Sequence, residues 1–536
     1  MGHSLVKSSL VVSLLTMLSR VLGLVRDIAM NYILGANATS DAFFIAWKIP
    51  NFFRRLFGEG AFSQAFVPVL SEYHEKRSFV EVKLLVDRVA GTLAGILLGF
   101  TLLGVLVPQL FVAIFGFGFI GTPQFGLASE LLAITFPYLL LISLTAFAGG
   151  VLNSYHRYAV PAFTPVFMNL CMLGGAAVTI LWQGDGAHVL AWSVFWAGVV
   201  QLGFQLPFLW RLGLLPKPVW GWSEPGVQRI LKLMLPALFG VSVAQINLLI
   251  DTSIATMLDH GSVTWLYNAD RLLELPLGLF GVGVATVILP VLSRQHARGD
   301  TADFSHTLDW AARSLMILGL PATVGLVLLS EPMMLTLFQH EGGRFTAHDA
   351  LMSAYALNAY ALGLCSHKLI KVFATGYTAR QRLRDPVRIG IIAMVANMVF
   401  VFLLAWPFAD SVWRWSFTLL GIPIALHWPL GHVGNALALT LSATLNCWLL
   451  YRGLRRDDCY RPEAAFWGKW LVLIGIACAA MGAVLVFCEP GAAVWQAWST
   501  TRRIIELGWR IVLGATVYGV LLFAFGLRKR DLRSAA

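Results

Sequence analysis

The chain has 536 residues, 58% of them hydrophobic and only 12% charged, with a formal charge of +11. A soluble globular protein carries about 25% charged residues, so the apolar excess excludes one water-soluble core and the nucleic-acid reading a basic chain would otherwise invite. A membrane β-barrel would show short alternating segments; here stretch after stretch runs close to 20 mostly apolar residues, enough to cross about 30 Å of hydrocarbon.

Taken in chain order, the sequence predicts fourteen spanning helices, at 8–34, 40–70, 84–116, 127–154, 159–182, 188–211, 227–258, 264–293, 305–338, 347–377, 386–408, 430–452, 465–488 and 503–527. The first is too long for a signal peptide, contains arginines and lacks a small-residue cleavage site, so it is expected to stay as a span. With the N-terminus in the cytoplasm, the inside segments carry Lys7, then Lys76, Arg77 and Lys83, then Arg157, then Arg211, Lys217, Arg229 and Lys232. They continue with Arg294 and Arg298, with Arg380, Arg382, Arg384 and Arg388, and with Arg452, Arg455, Arg456 and Arg461; the tail adds Arg528, Lys529, Arg530 and Arg533. Outside loops carry only Arg344, Arg414, Arg502 and Arg503. Basic loops face the cytoplasm, so the bias places both termini inside, and a miscount of one span would scramble it.

Residues 57–71 (FGEGAFSQAFVPVLS) align with 280–293 (FGVGVATVILPVLS), and 149–169 echo 376–397 more weakly. The offset is close to 225 residues in both. The expected fold class is therefore an all-α polytopic membrane protein: two six-helix lobes, 1–220 and 225–460, plus two C-terminal helices within 461–536. Six is even, so the lobes share orientation. Transporters built from such parallel repeats bind substrate between the halves and alternate access by rocking.

Charge within the spans marks the candidate site. Arg20, Arg26 and Asp27 lie in the first span; Asp41, Lys48, Arg54, Arg55 and Glu59 lie in the second, beside Pro50 and Gly58; Asp251 lies in the seventh; Asp270, Arg271 and Glu274 lie in the eighth. Such residues cost at least about 2.5–3.5 kcal/mol each and normally face a water-filled cavity or one another. Internal bridges, Arg26 with Asp27 or Arg271 with Glu274, are the bland alternative. As a set, the arginines exceed the nearby acids, and a planar, permanently charged fork suits phosphate. A cationic cleft for an anionic substrate follows. Asp251 and Asn397 form a candidate cation site of oxygen ligands, weighed against a simple hydrogen-bonded acid.

The other features read as structural. The six cysteines show no zinc or redox spacing and are expected as free thiols. His260, His340, His348 and His432 fall near outer loops and are expected to be solvated; His367, beside Lys368 and Lys371, either lines the cavity or meets a polar partner. Trp413, Trp415, Trp428, Trp495 and Trp498 are expected as interfacial anchors. No Walker loop, nucleophile elbow or zinc-protease motif occurs, so no enzymatic activity is expected.

The run Ser19-Arg20-Val-Leu-Gly23-Leu-Val-Arg26-Asp27, the run from Ser40-Asp41 through Lys48, Pro50-Asn51, Arg54-Arg55, Glu59-Gly60 and Gln64 to Pro68, and Tyr267-Asn-Ala-Asp270-Arg271-Leu-Leu-Glu274-Leu-Pro276-Leu-Gly278 closely resemble the MurJ (MviN) family. The resemblance covers the whole chain. It implies a member of the multidrug/oligosaccharidyl-lipid/polysaccharide exporter superfamily. It also implies a flippase that moves lipid II, the undecaprenyl-diphosphate-linked peptidoglycan precursor, from the cytoplasmic to the periplasmic leaflet of the bacterial inner membrane. Arg20, Arg26, Arg54 and Arg271 then line a cationic cavity, Asp41 and Glu274 match further functional positions, and the last two spans form a groove for the lipid tail. No cofactor is implied beyond coupling to sodium ion or membrane potential. A monomer is expected, associating with cell-wall synthesis proteins in some settings. A flippase for another polyprenyl-diphosphate-linked oligosaccharide is the near alternative. A drug/cation antiporter would want an acidic, aromatic cavity, and a membrane glycosyltransferase or polymerase a catalytic acid or metal near the outer face. The long outside loop 409–429 departs from the family pattern.

Overall fold

The computed structural model describes residues 2–56, 61–405, 417–419, 422–424, 431–462 and 464–525. Helices dominate: α1 Gly2–Leu34, α2 Ala38–Phe53, α3 Ala61–Lys76, α4 Phe79–Leu106, α5 Pro108–Phe115, α6 Pro123–Thr135, α7 Tyr138–Ser154, α8 Ala159–Trp182, α9 Gly186–Arg211 and α10 Pro225–Ala255. They continue as α11 Ser262–Ala297, α12 Thr301–Leu328, α13 Ser330–Leu337, α14 Ala347–Leu362, α15 Leu364–Ala379, α16 Arg384–Leu404, α17 Gly431–Arg456, α18 Ala464–Phe487, α19 Ala492–Ala497 and α20 Thr500–Ala524. The all-α class is as expected, save for a two-stranded antiparallel ribbon, β1 Phe417–Leu419 and β2 Ile422–Ile424, paired Phe417 to Ile424. The rest of the expected 409–429 loop, with Trp413, Trp415 and Trp428, lies outside the described residues, as does Glu59.

Nine helical stretches among the described residues are long and apolar enough to cross a membrane. The other five expected spans fall on α1, the α2–α3 pair, α10, α11 and the α14–α15 pair. Of these, α1 and α11 run unbroken for 33 and 36 residues, longer than a span needs.

The sequence fixes where helices start. Asn37 caps α2 by accepting from Thr39 N and Ser40 N, while Ser40 Oγ accepts from Asn37 N. Ser78 and Glu81 form the same reciprocal box on α4, and Thr346 and Asp349 on α14; each satisfies amides the helix leaves unpaired. Past Pro50, α2 loosens into a wider π-type turn at 54–56, a geometry frequent at functional sites.

The described residues divide into two compact units, Met1–Val263 and Thr264–Ala536. In the first, α1 packs on α8, α8 and α7 on α9, and α2 on α6. The helix α10, expected to open the second lobe, packs on α3 and also touches α4 and α5. Phe62, Phe66 and Phe147 centre one buried cluster, and in another Phe53 meets Phe100 and Phe111 edge to face while Phe136 lies tilted against Phe111. Gly104 allows that approach: a Cβ there would lie 2.3 Å from the Phe136 ring. In the second unit, α17 packs on α15 and α16, and α12 on α15 and α18. Asp309 ties α12 to the segment entering α18, accepting from Tyr460 Oη at 2.9 Å and Trp467 Nε1 at 2.6 Å.

Several helices close with the same turn. After α7, His156 adopts φ +59° and Arg157 N donates to Leu152 O; after α15, Gln381 adopts φ +59° and Arg382 N donates to Tyr377 O. Both are the six-to-one closure of a helix C-terminus. Gly213 after α9 and Asp458 after α17 make a second matched pair, with Leu214 N to Leu209 O and Cys459 N to Leu454 O.

Between α9 and α10 the chain folds back along α4 as a strap. Lys217 N donates to Asp87 Oδ1, Val219 N to Asp87 O and Gly221 N to Thr92 Oγ1. The groove exists because Gly91 and Gly95 lack side chains: Cβ atoms there would lie 2.2 Å from Val219 O and 2.7 Å from the Trp220 ring.

In the second unit two buried arginines brace the hairpin between α18 and α20. Arg503 donates to the carbonyls of Trp495, Gln496, Leu335 and Gln339. Arg510 donates to Cys488 O and Glu506, under the rings of Trp495, Trp498 and Trp509. Trp495 is fully buried, so it is not the interfacial anchor expected; it packs inward beneath Arg510. Exposed indoles stand elsewhere, at Trp182, Trp192, Trp210, Trp220 and Trp222.

Candidate functional site

Helix α1 carries the first cluster. Arg26 and Asp27 are both buried, Asp27 completely. Arg26 donates through Nε and Nη2 to Asp27 Oδ1, at 3.0 and 2.6 Å, and through Nη1 to Asn169 Oδ1 at 3.0 Å. Its guanidinium lies 4.8 Å from the Trp47 ring centre. Asn169 is held in turn by donating to Ser19 O. The bridge weighed as the bland reading therefore forms. Arg20, some two turns earlier, is exposed.

Helix α2 carries the second cluster. Asp41 is buried, and its Oδ2 accepts from Gly261 N at 2.7 Å. Lys48 Nζ donates to Thr252 Oγ1 on α10 at 3.4 Å, next to Asp251 in sequence. Arg54, half-buried on the π-type turn, donates through Nε to Asn51 Oδ1 at 3.1 Å, and Arg55 is exposed. The Asp41–Gly261 bond sits beside a cavity of about 590 Å³ lined by Ala38, Thr39, Thr122, Gln124 and His260. There Gln124 Nε2 donates to His260 Nδ1 at 3.2 Å. Gly118 N to Thr256 Oγ1, and Ser253 Oγ to Phe115 O, complete a net of polar contacts at this end of the first unit.

In the second unit Arg271 Nη1 donates to Glu274 Oε2 at 3.0 Å, one turn along α11, with both side chains partly exposed. This pair too forms as the alternative reading has it. Asn397 is fully buried on α16, and Asp251 is buried on α10 of the first unit. Among the described residues no three His, Cys, Asp or Glu side chains gather as metal ligands would.

Two of the four histidines expected to be solvated depart from expectation. His260 and His348 are exposed, but His432 is buried and its Nε2 lies 3.0 Å from Met352 O. His340 is half-buried between α13 and α14, and burial pushes its imidazole pKa below the usual value. His367 Nδ1 meets Gly363 O at 2.8 Å, within its own helix, the polar-partner reading. All six cysteines are free thiols. Sequence reasoning missed Asn169, Trp47, Thr252 and Gly261. Their types carry no charge signal, and they matter only because folding brings them to Arg26, Lys48 and Asp41.

The profile of the family described as "Lipid II flippase MurJ" matches residues 30–506. A "Probable lipid II flippase MurJ" of Vibrio cholerae is 45% identical, over 99% of this chain and 98% of its own length. A "Lipid II flippase MurJ" of Burkholderia cenocepacia is 36% identical, over 99% and 100%. Among solved structures, "Lipid II flippase MurJ, inward closed conformation" superposes with a TM-score of 0.77 at 26% identity, covering 98% of this chain and 99% of that one. An inward-facing multidrug resistance MATE family transporter of the MOP superfamily superposes at 0.65 and 14% identity, over 84% of this chain and 98% of that one, a likeness of fold alone.

Proposed function

The chain belongs to the MurJ family of lipid II flippases, and from that premise we propose how this molecule carries lipid II between the leaflets of the bacterial inner membrane by alternating access. It is a transporter, not a catalyst. The observation that carries the reading is arginine recurring within apolar helices, at Arg20, Arg26 and Arg54 and again at Arg271, in a chain matched to the family over nearly its whole length.

Fourteen spans with both termini cytoplasmic accommodate the described helices. Lobes at 1–220 and 225–460, with 461–536 as a groove for the polyprenyl tail, are supported by the matched turns after α7 and α15 and after α9 and α17. Arg20, Arg54, Arg55, Lys48 and Arg271 supply positive charge to the diphosphate. Asp27 and Glu274 orient the arginines beside them, and Glu59 extends the α2 set. Asp41, hydrogen-bonded to Gly261 N, belongs to a polar latch that opens and closes one end of the path. Burial fixes Arg26 through three partners, so its role is to hold α1 against α8 while presenting charge. Asp251 and Asn397 remain the proposed sodium ligands. Moving net charge down the membrane potential, at about 2.3 kcal/mol per charge per 100 mV, is the competing drive. The chain works as a monomer beside the cell-wall synthesis proteins.

A cell depleted of its own lipid II flippase and supplied with this chain tests the reading. A periplasmic toxin that cleaves lipid II reports exposure of the precursor. The wild type should restore cleavage, and Arg54→Ala and Arg271→Ala should each lower it at least about tenfold, the worth of one charge-assisted hydrogen bond. Full cleavage with both variants would remove the arginines from the site. No cleavage by well-inserted wild type would point to another polyprenyl-diphosphate-linked oligosaccharide. In the same cells, an ionophore that collapses the potential and a sodium-free medium separate the two drives, and protease access to tagged termini checks the orientation.

A further inference from the structure

The strap between α9 and α10 brings together groups that the transport path does not use. Arg88 is the last charged residue on α4 before the uncharged run 89–106, which at 1.5 Å per residue spans about 27 Å. Arg88 therefore stands where α4 enters the hydrocarbon, at the depth of lipid phosphates. Its stem lies against Gly221, where a Cβ would meet Arg88 Cδ at 2.5 Å. The guanidinium has a buried Nε with no hydrogen-bond partner among the described residues. The neighbouring acid is already engaged: Asp87 accepts from Lys83 Nζ and from Lys217 N. The Lys217 side chain remains exposed.

Around this surplus charge stand two indoles. Trp220 and Trp222 are 58% and 49% exposed, with ring centres 6.2 Å apart and planes inclined by 11°. Trp220 reaches along α4 to Gly95, roughly 10 Å deeper than Arg88 along the axis. Indoles of this kind seat at the headgroup level, and basic groups at the cytoplasmic side of membrane helices take anionic headgroups.

We propose that Arg88, Lys217, Trp220 and Trp222 form a binding site for the phosphate of one anionic phospholipid. It lies on the membrane face that holds the N-terminus of α4, the cytoplasmic face in the orientation given above. The guanidinium and ammonium take the phosphate, and the indoles pack along the glycerol and upper acyl chain. Because the strap is the only covalent link from α9 to α10, the bound lipid fastens that link to α4.

Lipid retention by the purified full chain tests this without any transport step. Delipidated protein in detergent is titrated with phosphatidylglycerol, with phosphatidylcholine or with inorganic phosphate, and bound copies are counted by native mass spectrometry. The wild type should hold one phosphatidylglycerol in preference to phosphatidylcholine. Arg88→Gln should weaken that binding about tenfold, and Arg88→Lys should keep most of it. Lys217→Gln, at an exposed position, supplies a second reading should Arg88→Gln fold poorly. Equal phosphatidylglycerol binding by wild type, Arg88→Gln and Lys217→Gln overturns the site. Inorganic phosphate that displaces the lipid at equal concentration overturns the lipid assignment in favour of a free anion. Displacement by far lower polyprenyl diphosphate overturns it in favour of a docking point for the cargo.

Discussion

Arg26 and Asp27 show how one residue pair serves two ends. Each charge would be costly alone in an apolar helix, and together with Asn169 they satisfy one another. Removing one partner of a buried pair strands the other, typically at about 3 kcal/mol or more, whereas apolar replacement of both is often neutral. Asp27→Asn is therefore expected to lower the melting temperature in detergent, and Arg26→Met with Asp27→Leu to restore it while transport stays lost. A double variant that flips lipid II normally would make the pair purely structural. Glu489, in the loop after α18, gives a pH signature. Burial raises its carboxyl pKa above the usual 4.5, offset only in part by Trp495 and Arg510. The native state then holds the proton more tightly than the unfolded one, so this site favours folding at acid pH. The gain is lost as pH rises from 4.5 through the native value. Glu489→Gln should flatten that decline in melting temperature; identical slopes for both proteins would rule it out. The sequence showed where these charges lie and which bridges were open to them. It could not show Asn169 reaching across from α8, because an asparagine 143 residues away leaves no trace in spacing.

Helix extents were largely legible because apolar length is a strong signal, and breaks within helices were not. The expected span 127–154 holds a turn at Phe136–Pro137, and 347–377 is divided at Gly363. Short α5, α13 and α19 were folded into spans or loops, since eight residues or fewer carry little periodicity. Trp495 was misplaced for a related reason: nearness to a span end does not say which way an indole points. Arg503 was the best-hidden element contact. Expected among the basic residues of an outside loop, it instead pins α20 to α13 and α19 through four carbonyls. Arg503→Ala leaves those acceptors unsatisfied and should cost about 3 kcal/mol, seen as earlier melting and faster proteolysis between α18 and α20. Unchanged protection of that hairpin would mean that its apolar packing suffices.

For the whole molecule, two short sequence echoes predict a repeat, and the helix-closing turns at His156 and Gln381 and at Gly213 and Asp458 are alike in geometry. The compact units were not readable: α10 is expected to open the second lobe, yet it packs on α3, where Val227 and Ile230 join the cluster around Phe62 and Phe66 and Arg229 bridges to Glu72. Composition alone could not separate this chain from transporters that share its fold, since the discriminating residues are few. The indoles of α9 have a last consequence. Trp192 and Trp210 lie five turns apart on one side of the helix, so about 27 Å separates them. Rigid markers at that spacing act as a gauge. A bilayer of matching thickness seats both at once, and a thicker or thinner one must deform or tilt the helix, at fractions of a kcal/mol per Å. That spacing is close to the roughly 30 Å of hydrocarbon in a typical bilayer, so acyl-chain length is expected to act on the transporter from outside its sequence.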